Sequence, residues 1–251
     1  MPPLVVGNWK MHGTQQMALS LARKVKRAAR ELRGVEIGVA PPFTALPALA
    51  RVLKDSPVAL VAQNVHWQAA GAFTGEISAL MLTELGCRYA IVGHSERRHI
   101  FKETDEHVAR RFSACLTDAL RPILCVGETW PERRRGATER VLERQLDSAL
   151  KGIGKTAIGK FDIAYEPVWA IGTGHNATPE QVSAVHGWIV KSFRRFLGDR
   201  GHKRASRILY GGSVRPDNCA SLAAVDDVDG FLVGGASLDA ESFVAIARAF
   251  C

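Results

Sequence analysis

Three side chains in this sequence, Lys10, His94 and Glu166, could bring an ammonium, an imidazole and a carboxylate to bear on one small molecule. Each stands just beyond a short apolar run: Leu4-Val-Val before Asn8 and Lys10, Tyr89-Ala-Ile-Val92 before His94, and Phe161-Asp-Ile-Ala164 before Glu166. A carboxylate so placed can take a proton, an imidazole can hydrogen-bond an oxygen that gains charge, and an ammonium can offset that charge. Two more apolar runs end in Gly211-Gly-Ser213 and Gly234-Gly235. Glycine turns of this kind can aim backbone N–H groups at a phosphate. The run that ends in His94 continues with Ser95, Glu96 and Arg97, and Pro122-Ile-Leu-Cys-Val126 leads to Glu128. The residues that follow these runs thus offer a base, a potential electrophile, a fixed cation and two glycine-rich turns.

These residues can meet only if the apolar runs are strands that end at one face. Eight such runs are expected as strands: Leu4–Lys10, Val35–Ala40, Val58–Ala62, Tyr89–Val92, Pro122–Val126, Phe161–Ala164, Arg207–Tyr210 and Gly230–Val233. They are short and nearly continuously apolar, as strands buried on both faces are. Helical patterns lie between most of them. A helix is expected from about Thr14 to Arg33, with Met17, Leu21, Val25, Ala28 and Leu32 inward and Arg23, Lys24, Lys26, Arg27 and Arg30 outward. The clearest start is Thr178-Pro-Glu-Gln181, where Thr178 can cap, Pro179 suits the first turn and Gln181 can close a capping box. Val182, Val185, Ile189, Phe193 and Phe196 then trace its buried face. Eight strand–helix units predict an α/β protein, a single (β/α)8 barrel of parallel strands and outer helices, spanning residues 1–251 as one domain.

Composition narrows the function classes. The chain has 251 residues, 47% of them hydrophobic, enough for a full core. No apolar run approaches the roughly 18 residues of a membrane helix, and no signal peptide is visible, so no membrane association is expected. Five dispersed cysteines without a Cys-x-x-Cys pair point to reduced thiols and a cytoplasmic location. The net charge of +8 comes in short runs: Arg97-Arg98, Arg110-Arg111, Arg133-Arg-Arg135 and Arg194-Arg195. No aromatic residues interleave them as a base-stacking platform requires, so solvated helix faces are expected and no nucleic acid. Gly154-Lys-Thr156 imitates the end of a P-loop, but Ala149 stands where its first glycine belongs. Gly172-Thr-Gly174-His-Asn-Ala177 meets the loose dinucleotide pattern, yet no acid ends the following strand, where Tyr210 falls. His94 and His99 have poor chelate spacing, so no metal site is expected.

Beyond Glu166, Pro167 stops strand pairing, and Val168-Trp-Ala-Ile171 leads into Gly172-Thr-Gly174. An apolar loop ending in glycines suits a lid that closes by burying its own face. The stretch Ala-Tyr-Glu-Pro-Val-Trp-Ala-Ile-Gly-Thr-Gly174 resembles the catalytic strand and lid of the triose-phosphate isomerase family. Gly-Asn-Trp-Lys-Met11 resembles that family's first strand, Val-Gly-His-Ser-Glu-Arg-Arg98 its fourth, and Tyr-Gly-Gly-Ser-Val214 with Gly-Gly-Ala-Ser237 its last two. The resemblance covers essentially the whole chain.

What it implies is interconversion of dihydroxyacetone phosphate and D-glyceraldehyde 3-phosphate through an enediolate, in glycolysis and gluconeogenesis, with no cofactor. Glu166 would be the base, a better one once a closed lid strips its water. In that family the electrophile is a neutral histidine at a helix N-terminus, here His94, with Ser95-Glu-Arg97 expected to begin the helix. Lys10 would supply positive charge, and Glu96, counted with the catalytic residues, would be the family's buried acid that pairs with Lys10 and orients it. Asn8 and Lys10 would contact substrate, and Gly172, Ser213, Gly234 and Gly235 would hold its phosphate. Closure of the lid would also suppress loss of phosphate from the enediolate. The segment Gln63–Ser78 resembles the family's dimer loop, which implies a homodimer with Thr74 near the partner's active site. His12, His175-Asn176 and the basic Pro131–Gly136 depart from the family's usual residues. The competing reading is another phosphosugar enzyme on this barrel, a lyase or aldolase. A Schiff-base aldolase needs a lysine in mid-barrel, and Glu166 occupies the strand-six position instead.

Overall fold

The structure is a computed structural model and describes residues 1–151, 153, 157, 159–171, 176–197 and 206–251, with backbone only at 194–197. The expectations on Gly154-Lys-Thr156, Gly172–His175, Arg194-Arg195 and the Phe196 side chain fall outside the described residues. Eight parallel strands form a closed barrel in sequence order: β1 (Leu4–Asn8), β2 (Glu36–Ala40), β3 (Val58–Ala62), β4 (Cys87–Val92), β5 (Arg121–Val126), β6 (Asp162–Tyr165), β7 (Ile208–Tyr210) and β8 (Gly230–Val233). β8 closes on β1 with Leu4 opposite Gly230 and Gly7 opposite Val233. Around them lie α1 (Gln15–Ala29), α2 (Leu46–Leu53), α3 (Ala79–Glu84), α4 (Ser95–His99), α5 (Asp105–Thr117), α6 (Trp130–Arg134), α7 (Thr138–Leu150), α8 (Pro179–Leu197), α9 (Cys219–Ala223) and α10 (Ala240–Arg248). The expected fold is thus the observed one, with strand ends displaced by a residue or two. β1 stops at Asn8 instead of Lys10.

The period-two alternation of strands explains how one barrel holds both a core and a site. Leu4, Val6, Tyr89, Ile91, Ile123, Cys125, Ala164, Leu209 and Leu232 belong to an inner cluster, while Val5, Val39, Val92, Leu124 and Ile163 join the larger cluster shared with the helices. On β6 the inward row is Asp162, Ala164 and then Glu166, so one strand sends an acid to each mouth of the barrel. At the mouth where the strands begin, Asp162 accepts from Arg121 Nε at 2.7 Å and Arg207 Nη2 at 2.9 Å, and Glu36 accepts from Arg207 Nη1 at 2.9 Å and Tyr89 OH at 2.8 Å. Burial alone would raise the Asp162 carboxyl, but the hydrogen bonds and charges of Arg121 and Arg207 hold it below its ordinary value. That end is a closed ionic plug. The expected site residues lie at the other end.

Two details differ from the sequence pattern. α1 is turned by about one residue: Ala18, Ala22, Val25 and Ala29 are buried, whereas Met17 is 62% exposed and Leu21 and Ala28 only half-buried. Alanines allow close approach to the barrel, and size loses to fit there. The arginine runs are not simply solvated. Arg98 donates to Gly93 O at 2.8 Å, Asp105 Oδ1 at 2.6 Å and Cys125 O at 3.2 Å. Arg111 is buried against Glu103 at 3.2 Å and donates to Val65 O. A guanidinium whose fork is filled by carbonyls and carboxylates tolerates burial. The capping box forms as expected, with Gln181 N donating to Thr178 Oγ1 at 3.3 Å and Thr178 N to Gln181 Oε1 at 3.1 Å. On α8, Val182, Val185, Ile189 and Phe193 are buried.

Candidate active site

The strands end together, and their last residues surround a cavity of about 480 Å³. Asn8, Lys10, His94, Glu166, Ser213, Gly234 and Gly235 all line it, together with Ile171 at the base of the apolar loop. Gly172 lies outside the described residues. Glu96 does not line the cavity; it stands behind Lys10, its Oε1 2.6 Å from Nζ. That pair is partly exposed, at 26% and 39%, and such pairs contribute about 0–1 kcal/mol to stability. Its effect is to fix where the ammonium points.

The Lys10 backbone is as constrained as its side chain. Its φ is +51°, left-handed and unfavourable for a residue with a Cβ. Its N–H donates to Asn8 Oδ1 at 3.0 Å and its carbonyl accepts from Gln63 Nε2 at 2.8 Å. Asn8 and Gln63, from the ends of β1 and β3, thus hold the lysine over the barrel mouth. Strain kept at such a position fits a functional constraint.

His94 caps the N-terminus of α4. The Glu96 N–H donates to His94 Nδ1 at 3.2 Å, so Nδ1 accepts and the ring proton of the neutral imidazole resides on Nε2. Nε2 lies 3.0 Å from Glu166 Oε1. The Glu166 carboxylate, only 2% exposed, also accepts from Ser95 N at 2.9 Å and Ser95 Oγ at 3.3 Å. The expected base and electrophile therefore sit in direct contact at the same barrel end. A carboxylate, a neutral N–H donor and a fixed cation around one cavity can remove a proton next to a carbonyl and steady the oxyanion that results.

Glu128, at the end of β5, governs the chain beyond Glu166. It is wholly buried and accepts from Trp169 Nε1 at 2.9 Å, Arg133 Nη1 at 2.9 Å and Tyr165 OH at 3.2 Å, while its carbonyl accepts from Val168 N at 3.1 Å. Burial and the neighbouring Glu128 charge push the Tyr165 phenol well up, so it stays a donor. On the far side of the cavity, Ser237 Oγ and N bond Gly234 O at 2.7 and 2.9 Å, and Asn218 Nδ2 bonds Ser213 O at 3.0 Å. These bonds use carbonyls and leave the two turns shaped around the cavity. Ser95 and Glu128 carry site geometry that sequence reasoning did not assign. The available signal was position: one follows His94 directly, and the other ends a strand beside a helix cap.

The family model described as triosephosphate isomerase matches residues 3–250. The chain belongs to the triosephosphate isomerase family. The triosephosphate isomerase of Chloroflexus aurantiacus is 48% identical over 244 residues, covering 97% of each chain. That of Roseiflexus castenholzii is 49% identical over 247 residues, covering 97% of this chain and 96% of the relative. The crystal structure of the Bartonella henselae triosephosphate isomerase superposes with a TM-score of 0.90 at 37% identity, over 100% of this chain and 99% of the other. The protein is accordingly an isomerase of the aldose–ketose type, and its activity is triosephosphate isomerisation.

Proposed function

We propose that residues 1–251 work as one barrel domain that interconverts dihydroxyacetone phosphate and D-glyceraldehyde 3-phosphate by the following division of labour. Glu166 takes a proton from the carbon beside the carbonyl and returns it to the neighbouring carbon. His94 donates Nε2–H to the oxygens as the enediolate forms, and serves both as the hydroxyl proton crosses between them. Lys10 adds positive charge to the same oxygens and to the phosphate, oriented by Glu96, and Asn8 contacts the substrate beside it. Backbone N–H groups of Gly172, Gly234 and Gly235 and the Ser213 hydroxyl hold the phosphate.

The observation that carries this reading is the 3.0 Å contact between Glu166 Oε1 and His94 Nε2 on the wall of a cavity that Lys10 also faces. The contact must be exchanged for catalysis. A substrate oxygen that replaces the carboxylate as acceptor of Nε2–H frees Glu166 to turn to carbon, so binding itself readies the base. The test is a coupled assay that follows triose phosphate conversion by the purified protein. Turnover without carbon–carbon cleavage supports the proposal; a cleavage product with no isomerisation would favour the lyase or aldolase reading.

The working unit is a homodimer joined through the loop Gln63–Ser78, with Thr74 near the partner's active site. An isolated bridge between His66 and Ser78 ties the base of that loop. Met11, Phe73, Ile100 and Phe101 on the loops and Leu80 and Met81 on α3 are exposed, Met11 at 93%. Large exposed apolar side chains in such number suit an interface. Sedimentation at decreasing concentration tests the dimer, and a fully active monomer at nanomolar concentration would contradict it. Reduced thiols, which five dispersed cysteines suit, fit the cytoplasm as the compartment; no helix among the described residues is long and apolar enough to cross a membrane.

A further inference from the structure

We infer that Arg133 is a positioning residue for the isomerisation, acting on the hinge of the lid through Trp169. The inference rests on the base role proposed above and on the lid expected from the sequence beyond Pro167, takes the turn Val168–Ala170 as that lid's hinge, and adds the group that holds the hinge in register.

The geometry is a closed triangle. Arg133 Nη1 donates to Glu128 Oε1 at 2.9 Å, Trp169 Nε1 donates to the same oxygen at 2.9 Å, and the Arg133 guanidinium carbon lies 4.5 Å from the Trp169 ring centroid. One cation thus touches the hinge indole directly and, through a carboxylate, a second time. Glu128 has no exposure to solvent. A carboxylate buried among neutral donors alone is costly, and a paired guanidinium makes its burial tenable. Removing Arg133 therefore takes away the face that packs on Trp169 and also the counter-charge that keeps Glu128 seated against the indole. The Val168 N–H donates to the Glu128 backbone carbonyl at 3.1 Å, so the residue before Trp169 is tied to the same position of the chain.

Arg133 reaches this position because α6 is short and firmly started. Thr129 N donates to Glu132 Oε2 at 2.8 Å and Thr129 Oγ1 donates to it at 2.7 Å, in a capping box. That box fixes the helix at the end of β5 and points its last turn at the hinge. The arginine is 21% exposed and does not line the cavity with Glu166, so it touches no reacting atom.

The test is a double-mutant cycle with Arg133→Met and Trp169→Phe, read by kcat, KM and the fraction of turnovers that release methylglyoxal. If Arg133 acts through Trp169, Arg133→Met lowers kcat about tenfold and raises the methylglyoxal fraction by a similar factor, with KM moved less than about threefold. Arg133→Lys, which restores charge to Glu128 without the flat face, recovers part of both losses. In the Trp169→Phe background the arginine substitution then has a markedly smaller effect. Wild-type kcat and partitioning in Arg133→Met, or effects that simply add to those of Trp169→Phe, would overturn the inference. If Arg133→Met does not fold, the same cycle run with Arg133→Lys decides. A wild-type protein without isomerase activity would refute the proposed function instead, and not this use of Arg133.

Discussion

Gly211→Ala turns the packing around Glu166 into a number. Gly211 follows β7, and its N–H donates to Tyr165 O at 2.7 Å. A Cβ added there would stand 2.9 Å from Glu166 Cγ and 3.2 Å from Tyr165 O. Ordinary carbon–carbon contact begins near about 3.5 Å, so Cγ must retreat by roughly half an ångström. The Tyr165 carbonyl blocks escape on the other side, and the Glu166 side chain is 2% exposed, so there is little slack to absorb the shift. Overpacking of this kind costs about 1–3 kcal/mol of stability. Because a displacement of about 1 Å at a reacting group can cost about a hundredfold in rate, the expected loss in kcat is about 10- to 100-fold, with KM within a few-fold. Steady-state kinetics in both directions, beside urea denaturation, measure the two effects. Gly187→Ala is the control: it lies on α8, a Cβ there meets nothing within 4 Å, and stability should rise by about 0.5–1 kcal/mol with kcat unchanged. A Gly211→Ala enzyme with kcat within twofold of wild type would refute the claim that Glu166 is held by close packing.

Two further outcomes follow from other parts of the barrel. Deleting the lid tip, residues 172–175, should raise methylglyoxal release relative to isomerisation, and unchanged partitioning would remove the lid's protective role. His186 is wholly buried, and burial drives its imidazole down to about 4, against a smaller opposing pull from the Asp227 carbonyl that Nδ1 meets at 2.8 Å. Between pH 6.5 and 4 the unfolded chain therefore takes up a proton that the folded one refuses, and stability falls with acidification by up to about 3 kcal/mol. Denaturation at both ends of that window, compared with His186→Asn, isolates the term; equal pH slopes in the two proteins would exclude it.

Much of the molecule could be read from the sequence because its signals are local. The runs that became β1 to β8 are apolar almost throughout, as a doubly covered barrel requires. Lys10, His94 and Glu166 announced themselves by standing just past them. What could not be read depends on partners far along the chain. Ser95 meets Glu166 across 71 positions, and Trp169 meets Glu128 across 41. The arginine doublets look like solvated faces because charge is visible in sequence and the acceptors that bury Arg98 and Arg111 are not. The packed face of α1 was misjudged for the same reason. Residue size favours Met17 and Leu21, but close approach to the barrel selects Ala18 and Ala22, and only the neighbouring surface decides between them.

The central claim is that one carboxylate moves the proton between adjacent carbons, and Glu166→Asp tests it most directly. Losing one methylene draws the carboxylate back from the substrate carbon by more than about 1 Å while leaving Lys10, His94 and the phosphate turns in place. The account predicts a kcat at least about a hundredfold lower with KM within a few-fold of wild type. A Glu166→Asp enzyme that keeps kcat within tenfold of wild type would contradict it.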